Sequence, residues 1–251
     1  MLFIVIPVYN EEQNIKYLMD SLRQNLKDVE YKIVAVNDGS QDSSLKLLEG
    51  LQTADLVIIS SLINMNVGAV FSAGIDRVLQ EANDNDILII MEGDQTSDVK
   101  LIKLFVEEIN KGQDIVIGSR HKLGGAYVNF PFLRRVFSFG ANWMMQKIFP
   151  ITGVKDYTIF FRAYRTRILN QAVKMYGKFG LIQSKGFVAN AELLIKLSLL
   201  TNNIEELPLV YNYGKKKGAS KINVFRTINE YFVLVNYMKR IFVKVKAVNK
   251  I

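Results

Sequence analysis

The chain contains no cysteine. Disulfide frameworks, thiolate metal sites and cysteine nucleophiles are therefore excluded. It has a single histidine, His121, which removes any centre built from several imidazoles. Four prolines and 16 glycines in 251 residues are too few for a fibrous or disordered chain. No apolar run approaches the ~18–20 residues that a membrane span needs; within the C-terminal segment the longest is Tyr231–Val235. The opening residues run straight into a strand-like pattern with no basic stretch, so no secretory signal is expected and a cytoplasmic location is.

What is present has ordinary soluble proportions, 49% hydrophobic and 22% charged. The length suits one large domain or two small ones, with a core that stands without covalent staples. The net charge of +8 conceals a division. Residues 1–114 carry 9 Lys/Arg against 19 Asp/Glu, a balance of −10, and residues 115–251 carry 23 against 5, a balance of +18. An acidic half suits a cation and a basic half suits an anion. Nucleic acid, an anionic membrane surface and a phosphorylated substrate are the candidate anions, beside a basic face kept only for solubility.

The first half alternates. Apolar, β-branched runs at 2–6, 32–36, 56–60, 86–91 and 114–118 read as buried strands, and helical patterns lie between them near 11–26, 43–53, 68–82 and 98–111. Repeated strand–helix–strand units predict an α/β fold with a mainly parallel sheet flanked by helices on both faces. Ligands of such sheets bind beyond the carboxyl ends of the strands. The polar stretches Pro7–Glu12, Asn37–Asp42, Asn64–Gly68 and Glu92–Asp98 follow four of the strands, so four loops converge on one edge.

The second half is less regular. A helix is expected at 132–149, with Arg134, Ser138, Asn142 and Gln146 on one face and Phe132, Val136, Phe139, Trp143 and Phe149 elsewhere around it. A strand is expected at 157–163, helices near 165–176 and 187–201, and a strand at 204–210. The last helix, near 222–247, is apolar at Val224, Phe225, Ile228, Phe232, Val235, Met238, Ile241, Phe242 and Val245. The two amphipathic helices either lie in lipid headgroups, helped by Arg134, Arg135, Lys239, Arg240, Lys244 and Lys246, or pack on the core or a partner subunit.

Three loops carry chemistry. IPVYNEE at 6–12 ends the first strand; Asn10 would cap the next helix, and Glu11 and Glu12 would favour its positive end. VNDGSQDSS at 36–44 follows the second strand with Asp38 before a glycine turn, suited to a base or ribose and equally to plain turn chemistry. MEGDQTSD at 91–98 brings Glu92 and Asp94 together around Gly93. Hard divalent cations take one or two carboxylates plus substrate phosphates; an acidic loop that caps the following helix through Asp98 is the other reading.

These motifs, in this order, resemble the family 2 glycosyltransferases of the GT-A fold over about 220 residues. The likeness continues through VIGSR (116–120), FLRRVFSFGANWMMQKIF (132–149), DYTIFFRAYR (156–165) and GASK (218–221). This later set looks most like the dolichol-phosphate mannosyltransferase branch. The resemblance implies a catalytic domain over 1–221, with a nucleotide-sugar half at 1–114 and an acceptor half at 115–221, followed by a C-terminal amphipathic helix and basic tail at 222–251. It assigns Pro7, Tyr9, Glu11, Asp38, Asp94 and Gln95 to the nucleotide sugar, and Glu92, Asp94 and Gln95 to Mg2+ or Mn2+. Arg120, Arg134, Ser220 and Lys221 would meet the acceptor phosphate, and Asp94, Arg120 and Lys221 would be catalytic. Glu92 departs from the family's more frequent aspartate. Lys215, Lys216 and Lys217 would add positive field or simply be solvated, and His121 and Arg165 have no assigned role.

The implied reaction moves a sugar, with inversion, from a nucleotide diphosphate to a polyprenyl phosphate (dolichyl or undecaprenyl) at the inner membrane face. A phosphate acceptor is largely ionised near pH 7, its second pKa being about 6, and needs no protein base. A saccharide hydroxyl would need one, and Glu192, in GFVANAELL, is then the candidate. More distant readings are a nucleotide-sugar binder without turnover and a nucleic-acid binder. The basic residues are spread over the whole second half with no nucleic-acid motif, so nucleic acid is not expected. A homo-oligomer or a membrane partner subunit is compatible with the sequence.

Overall fold

The computed structural model describes residues 1–218 and 223–248, with side chains through residue 242. Seven strands form one sheet in the order β3-β2-β1-β4-β7-β5-β8. They are β1 Leu2–Val8, β2 Tyr31–Asp38, β3 Leu56–Ser61, β4 Ile87–Ile90, β5 Ile115–Ser119, β7 Arg162–Arg165 and β8 Ile204–Pro208. All neighbours are parallel except β7, which runs antiparallel between β4 and β5. A separate two-stranded parallel pair joins β6 Ala126–Val128 to β9 Val210–Asn212. Both halves of the chain thus build the sheet.

The centre of the sheet explains the continuous apolar runs. Ile4, Val5, Ile6, Ile33, Val34, Leu88, Ile89, Ile90, Val116 and Ile117 are fully buried, as parallel strands covered on both faces require. Helices α1 Ile15–Asn25 and α2 Ser44–Gly50 follow β1 and β2, and α3 Asn66–Leu79 carries the chain back across the sheet to β4. Right-handed crossovers in opposite directions put α3 on the face away from α1 and α2. The strand order reverses between β1 and β4, and their carboxyl ends open the crevice. Helix α4 Leu101–Asn110 packs against β4, β5 and β7.

The expected elements of the second half are present with shifts. Helices α5 Phe132–Ile148, α6 Thr166–Tyr176, α7 Ala189–Leu197 and α8 Val224–Val248 match four expected segments. The strand expected at 157–163 begins only at Arg162. Before it, backbone amides bond side chains instead of a ladder: Tyr157 N–H donates to Asn142 Oδ1 at 2.7 Å, and Ile159 N–H to Asp156 Oδ1 at 3.2 Å. The strand expected at 204–210 is split between β8 and β9, and β6 is too short to signal itself. Asn10 does not cap α1, which starts at Ile15; its side chain accepts Gln41 N–H at 2.8 Å and latches the first loop to the second.

Helix α5 turns a mixed polar and apolar face inward and leaves large aromatic side chains outside. Asn142 and Met145 are buried, and Ser138 Oγ lies 2.9 Å from Tyr127 Oη. Phe132 is 76%, Phe139 63% and Trp143 58% exposed. Helix α8 divides its apolar residues: Tyr231, Leu234, Val235 and Met238 join the core, while Phe225, Phe232 and Val233 face outward. Among the described residues no helix is long and apolar enough to cross a membrane.

Gly74 of α3 is seated directly on β1. A Cβ there would stand 2.4 Å from Val5 Cγ1, and a buried β-branched neighbour has no rotamer into which to retreat. Gly74→Ala is expected to destabilise the protein by about 1–2 kcal/mol, the overpacking cost exceeding the ~1 kcal/mol that alanine gains in helix propensity. Urea unfolding followed by circular dichroism checks the sign.

Candidate active site

The β1 and β4 loops meet where the strand order reverses. Gly93 permits it: a Cβ there would lie 2.9 Å from Pro7 O and 3.6 Å from Glu11 Cγ. This close approach sets Glu11 and Asp94 on one floor. Lys216, from the loop after β9, extends into the space between them. Its ammonium donates to Asp94 Oδ2 at 2.5 Å and lies 4.0 Å from Glu11 Oε1. Burial opposes the lysine's charge, but Asp94 and Glu11 outweigh it and raise its pKa.

Around this floor lies a cleft of about 400 Å³. Pro7, Tyr9, Glu11 and Asp38 form one edge, Glu92 and Asp94 the base, and Arg120 and Arg134 the opposite wall. Asp38 Oδ1 accepts Met65 N–H at 2.5 Å, and burial raises its pKa. Glu92 Oε2 accepts Ser97 Oγ–H at 2.8 Å. Burial, and then the nearby Asp94, push its carboxyl up to about 7. Asp94 Oδ1 accepts Thr96 Oγ1–H at 2.5 Å, which leaves Oδ2 to the lysine. Gln95, expected beside the metal, instead turns its amide to Asn14 O at 3.3 Å and does not line the cleft. A backbone φ of +63° at Gln95 aims it away.

The wall is organised by a buried ion pair. Arg120 Nε and Nη2 donate to the two oxygens of Asp156 at 2.8 and 2.7 Å, and the Arg120 backbone N–H adds a bond at 3.1 Å. Burial alone would raise the Asp156 pKa; Arg120 overrides it and holds the carboxyl well below the usual range. The guanidinium also lies over the rings of Tyr127 and Tyr211, at 4.9 and 5.5 Å from their centroids. Asn142 and His121 extend the network: the Asn142 amide lies 3.0 Å from His121 Nε2, and burial lowers the histidine's pKa. Arg134 Nη1 donates to Tyr213 Oη at 3.1 Å.

Ser220 and Lys221 fall outside the described residues. Glu192, the alternative base, is fully buried away from the cleft. It is ion-paired to Lys196 and accepts the backbone N–H groups of Gln183 and Ser184. A carboxylate with these partners shapes the 183–184 turn and does not reach a substrate, so the alternative base is corrected to a structural group.

The geometry also adds residues that pattern reading passed over. Tyr211 and Tyr213 line the cleft from β9 and the turn after it, and Arg226 and Glu230 from the start of α8. Arg226 Nε donates to Glu230 Oε1 at 3.0 Å, an i,i+4 pair. Asp156 stood inside a quoted motif without a role. Arg162 is fully buried and donates to Asn190 O and Asp156 O at 2.8 and 3.1 Å.

A reversed strand order with carboxylates at the switch point and cationic residues across from them is a doubly wound α/β architecture with its ligand cleft at the carboxyl ends of the strands. Residues 3–173 match the family described as Glycosyl transferase family 2, and the chain belongs to that family. It is 29% identical over 229 residues to a dolichol-phosphate mannosyltransferase of Pyrococcus furiosus, covering 91% of this chain and 60% of the relative. It is 26% identical over 223 residues to a polyprenol monophosphomannose synthase of Mycolicibacterium smegmatis, covering 88% and 80%. The chain therefore spans less than two thirds of the first relative's length. In structure it resembles the glucosyl-3-phosphoglycerate synthase of Mycobacterium tuberculosis in complex with Mn2+, UDP and glucosyl-3-phosphoglycerate, with a TM-score of 0.67, 15% identity, and coverage of 94% of this chain and 77% of the other. This likeness shows the GT-A fold.

The Arg120–Asp156 pair generates a pH-dependent prediction. Asp156→Asn leaves a buried guanidinium without its counter-charge and is expected to cost roughly 3–5 kcal/mol at pH 7. Because the folded-state pKa of Asp156 is depressed, its contribution is present above the unfolded value of about 3.9 and is lost as pH falls below it. The variant should thus lose most of its deficit relative to the parent between about pH 4 and pH 2. Denaturant midpoints across that range check both signs.

Proposed function

We propose that this glycosyltransferase moves a sugar from a nucleotide-diphosphate donor to a polyprenyl phosphate at a membrane surface, with Mg2+ or Mn2+. The observation that carries the reading is the two-signed cleft, in which one cation is already held between Asp94 and Glu11 while Arg120 and Arg134 face it. The names of the two relatives, both polyprenyl-phosphate mannosyl enzymes, support the acceptor class.

The site fits a divalent ion by the chemistry of its donors: carboxylate oxygens flank a position where an ammonium now sits. Among the described residues no group of three or more His, Asp or Glu side chains could hold a metal, so substrate phosphates would complete the shell. Asp94 would be the principal ligand, with Glu92 beside it. When bound, the ion supplies neutralisation of charge on the leaving diphosphate. Thr96 and Ser97 orient these carboxylates. Pro7, Tyr9, Glu11 and Asp38 would hold the nucleotide along the sheet edge. Arg120, fixed by Asp156, and Arg134, steadied by Tyr213, would position the acceptor phosphate, with Ser220 and Lys221 assigned to the same anion. The acceptor oxygen carries its own charge, so the protein's work is orientation and electrostatic stabilisation. The cleft carboxylate Glu92, with a pKa of about 7, is better placed than Glu192 for a hydroxyl acceptor, which is the second reading.

The exposed apolar face of α5 and the outward Phe225 and Phe232 of α8 would seat the protein among headgroups, with Arg135 and Lys147 facing anionic lipid.

A panel of nucleotide sugars offered with polyprenyl phosphate and Mg2+ or Mn2+ is expected to yield a charged glycolipid extractable into solvent. Asp94→Asn should lower turnover by at least about 100-fold, while Glu192→Gln, if folded, should retain it per active molecule. Transfer to a saccharide hydroxyl alone would overturn the acceptor. In vesicle flotation with anionic lipid at low salt, the parent should float, and replacing Phe139 and Trp143 by serine should reduce the bound fraction several-fold. A parent that stays in the lipid-free fraction would overturn the membrane contact.

A further inference from the structure

We propose that Lys216 is an internal counter-ion of the donor site, holding Asp94 and Glu11 until a divalent cation displaces it. The inference rests on the reading that Asp94 takes such a cation.

Three consecutive lysines occupy 215–217, and they are not equivalent. Lys215 is exposed. The Lys217 ammonium stands 4.4 Å from the centroid of the Tyr17 ring. Only Lys216 turns inward, and its side chain is 9% exposed.

The backbone fixes this choice. Asn14 clips the loop from both sides, its Oδ1 accepting Lys217 N–H at 3.1 Å and its Nδ2 donating to Lys217 O at 2.9 Å. The same amide donates to Glu11 Oε2 at 2.7 Å. One buried side chain therefore registers both the loop and the carboxylate that Lys216 faces.

The lysine and a metal ion compete for the same ligand. Thr96 occupies Asp94 Oδ1, and Lys216 takes Oδ2, the oxygen left for the cleft. A hard cation sits ~2.0–2.2 Å from its oxygen ligand, and an ammonium 2.5 Å from that same oxygen would place two positive centres within a few ångströms in a partly buried pocket. One must leave. The lysine side chain can do so by rotating its own bonds, since its backbone remains clipped by Asn14.

The exchange has a chemical logic. In the free protein the ammonium cancels the repulsion of carboxylates gathered on one floor. A donor diphosphate brings negative charge to the same place, so cation entry and lysine release are both favoured by its arrival. Free protein should hold the metal weakly and the donor complex strongly.

The test is a Mn2+ titration of nucleotide-free protein, followed by the electron paramagnetic resonance signal of unbound Mn2+. Lys216→Gln is expected to tighten Mn2+ binding by roughly tenfold, the equivalent of one charge-assisted hydrogen bond no longer in competition. Lys216→Arg, which keeps a cation in place, should stay near the parent. Lys215→Gln removes the same charge without the contact and should shift the affinity by no more than about twofold. Unchanged affinity in Lys216→Gln, with binding still abolished by Asp94→Asn, would overturn the counter-ion role and leave the metal site standing. Equal tightening by Lys215→Gln and Lys216→Gln would reduce the effect to general field and also overturn it. Absence of any Asp94-dependent binding would overturn the metal reading, and the counter-ion with it.

Discussion

The buried contact between Arg120 and Asp156 is the constraint on which the basic wall of the cleft depends. It joins the end of β5 to the irregular segment before β7. Through Thr158 and Asn142 it reaches α5, and through two tyrosine rings it reaches β6 and β9. A guanidinium taken out of water needs partners for its charge and donors, and here Nε and Nη2 find them on Asp156 and Thr158. The backbone of residues 157–159 gives its hydrogen bonds to side chains of this network, which is why it is irregular. A rigid cation at the cleft wall is the result.

The opposite charges of the two halves meet in that cleft. The acidic half supplies Glu11, Asp38, Glu92 and Asp94 from loops at one sheet edge. The basic half supplies Arg120, Arg134, Lys216 and Arg226 from four different elements. The pairing of β7 with β4 makes this possible, because it joins the second half's strands β7, β5 and β8 to the first half's block of four. The charge division along the sequence is thus a division between the two walls of one site.

Much of this architecture was legible in the sequence because it rests on periodicity. Uniform apolar runs announced the parallel strands, and polar stretches after each of them located the edge where loops converge. Asp94 and Asp38 could be picked out because strand ends are local features. Lys216 could be noticed only as one of three lysines, since what distinguishes it is the clip between its neighbour Lys217 and Asn14, 203 positions apart along the chain. Gln95 was misleading for a related reason: its neighbours fit a ligand motif, but its left-handed backbone turns the amide aside. Glu192 looked like a charge in a first helical turn, and only its burial beside Lys196 reveals what it neutralises. In α5 the amphipathic pattern was visible, but periodicity does not say which face looks inward, and here Asn142 and Met145 do while Phe139 and Trp143 look out.

The contribution of α8 to the cleft has a consequence for the order in which the site is assembled. Arg226 and Glu230 follow Asp38 and Asp94 by more than 130 residues along the chain, so they leave the ribosome well after them. The carboxylate edge can therefore take shape early, while the part of the rim that α8 supplies waits for that helix to emerge and dock. A nascent chain that has not yet reached α8 carries a half-built pocket.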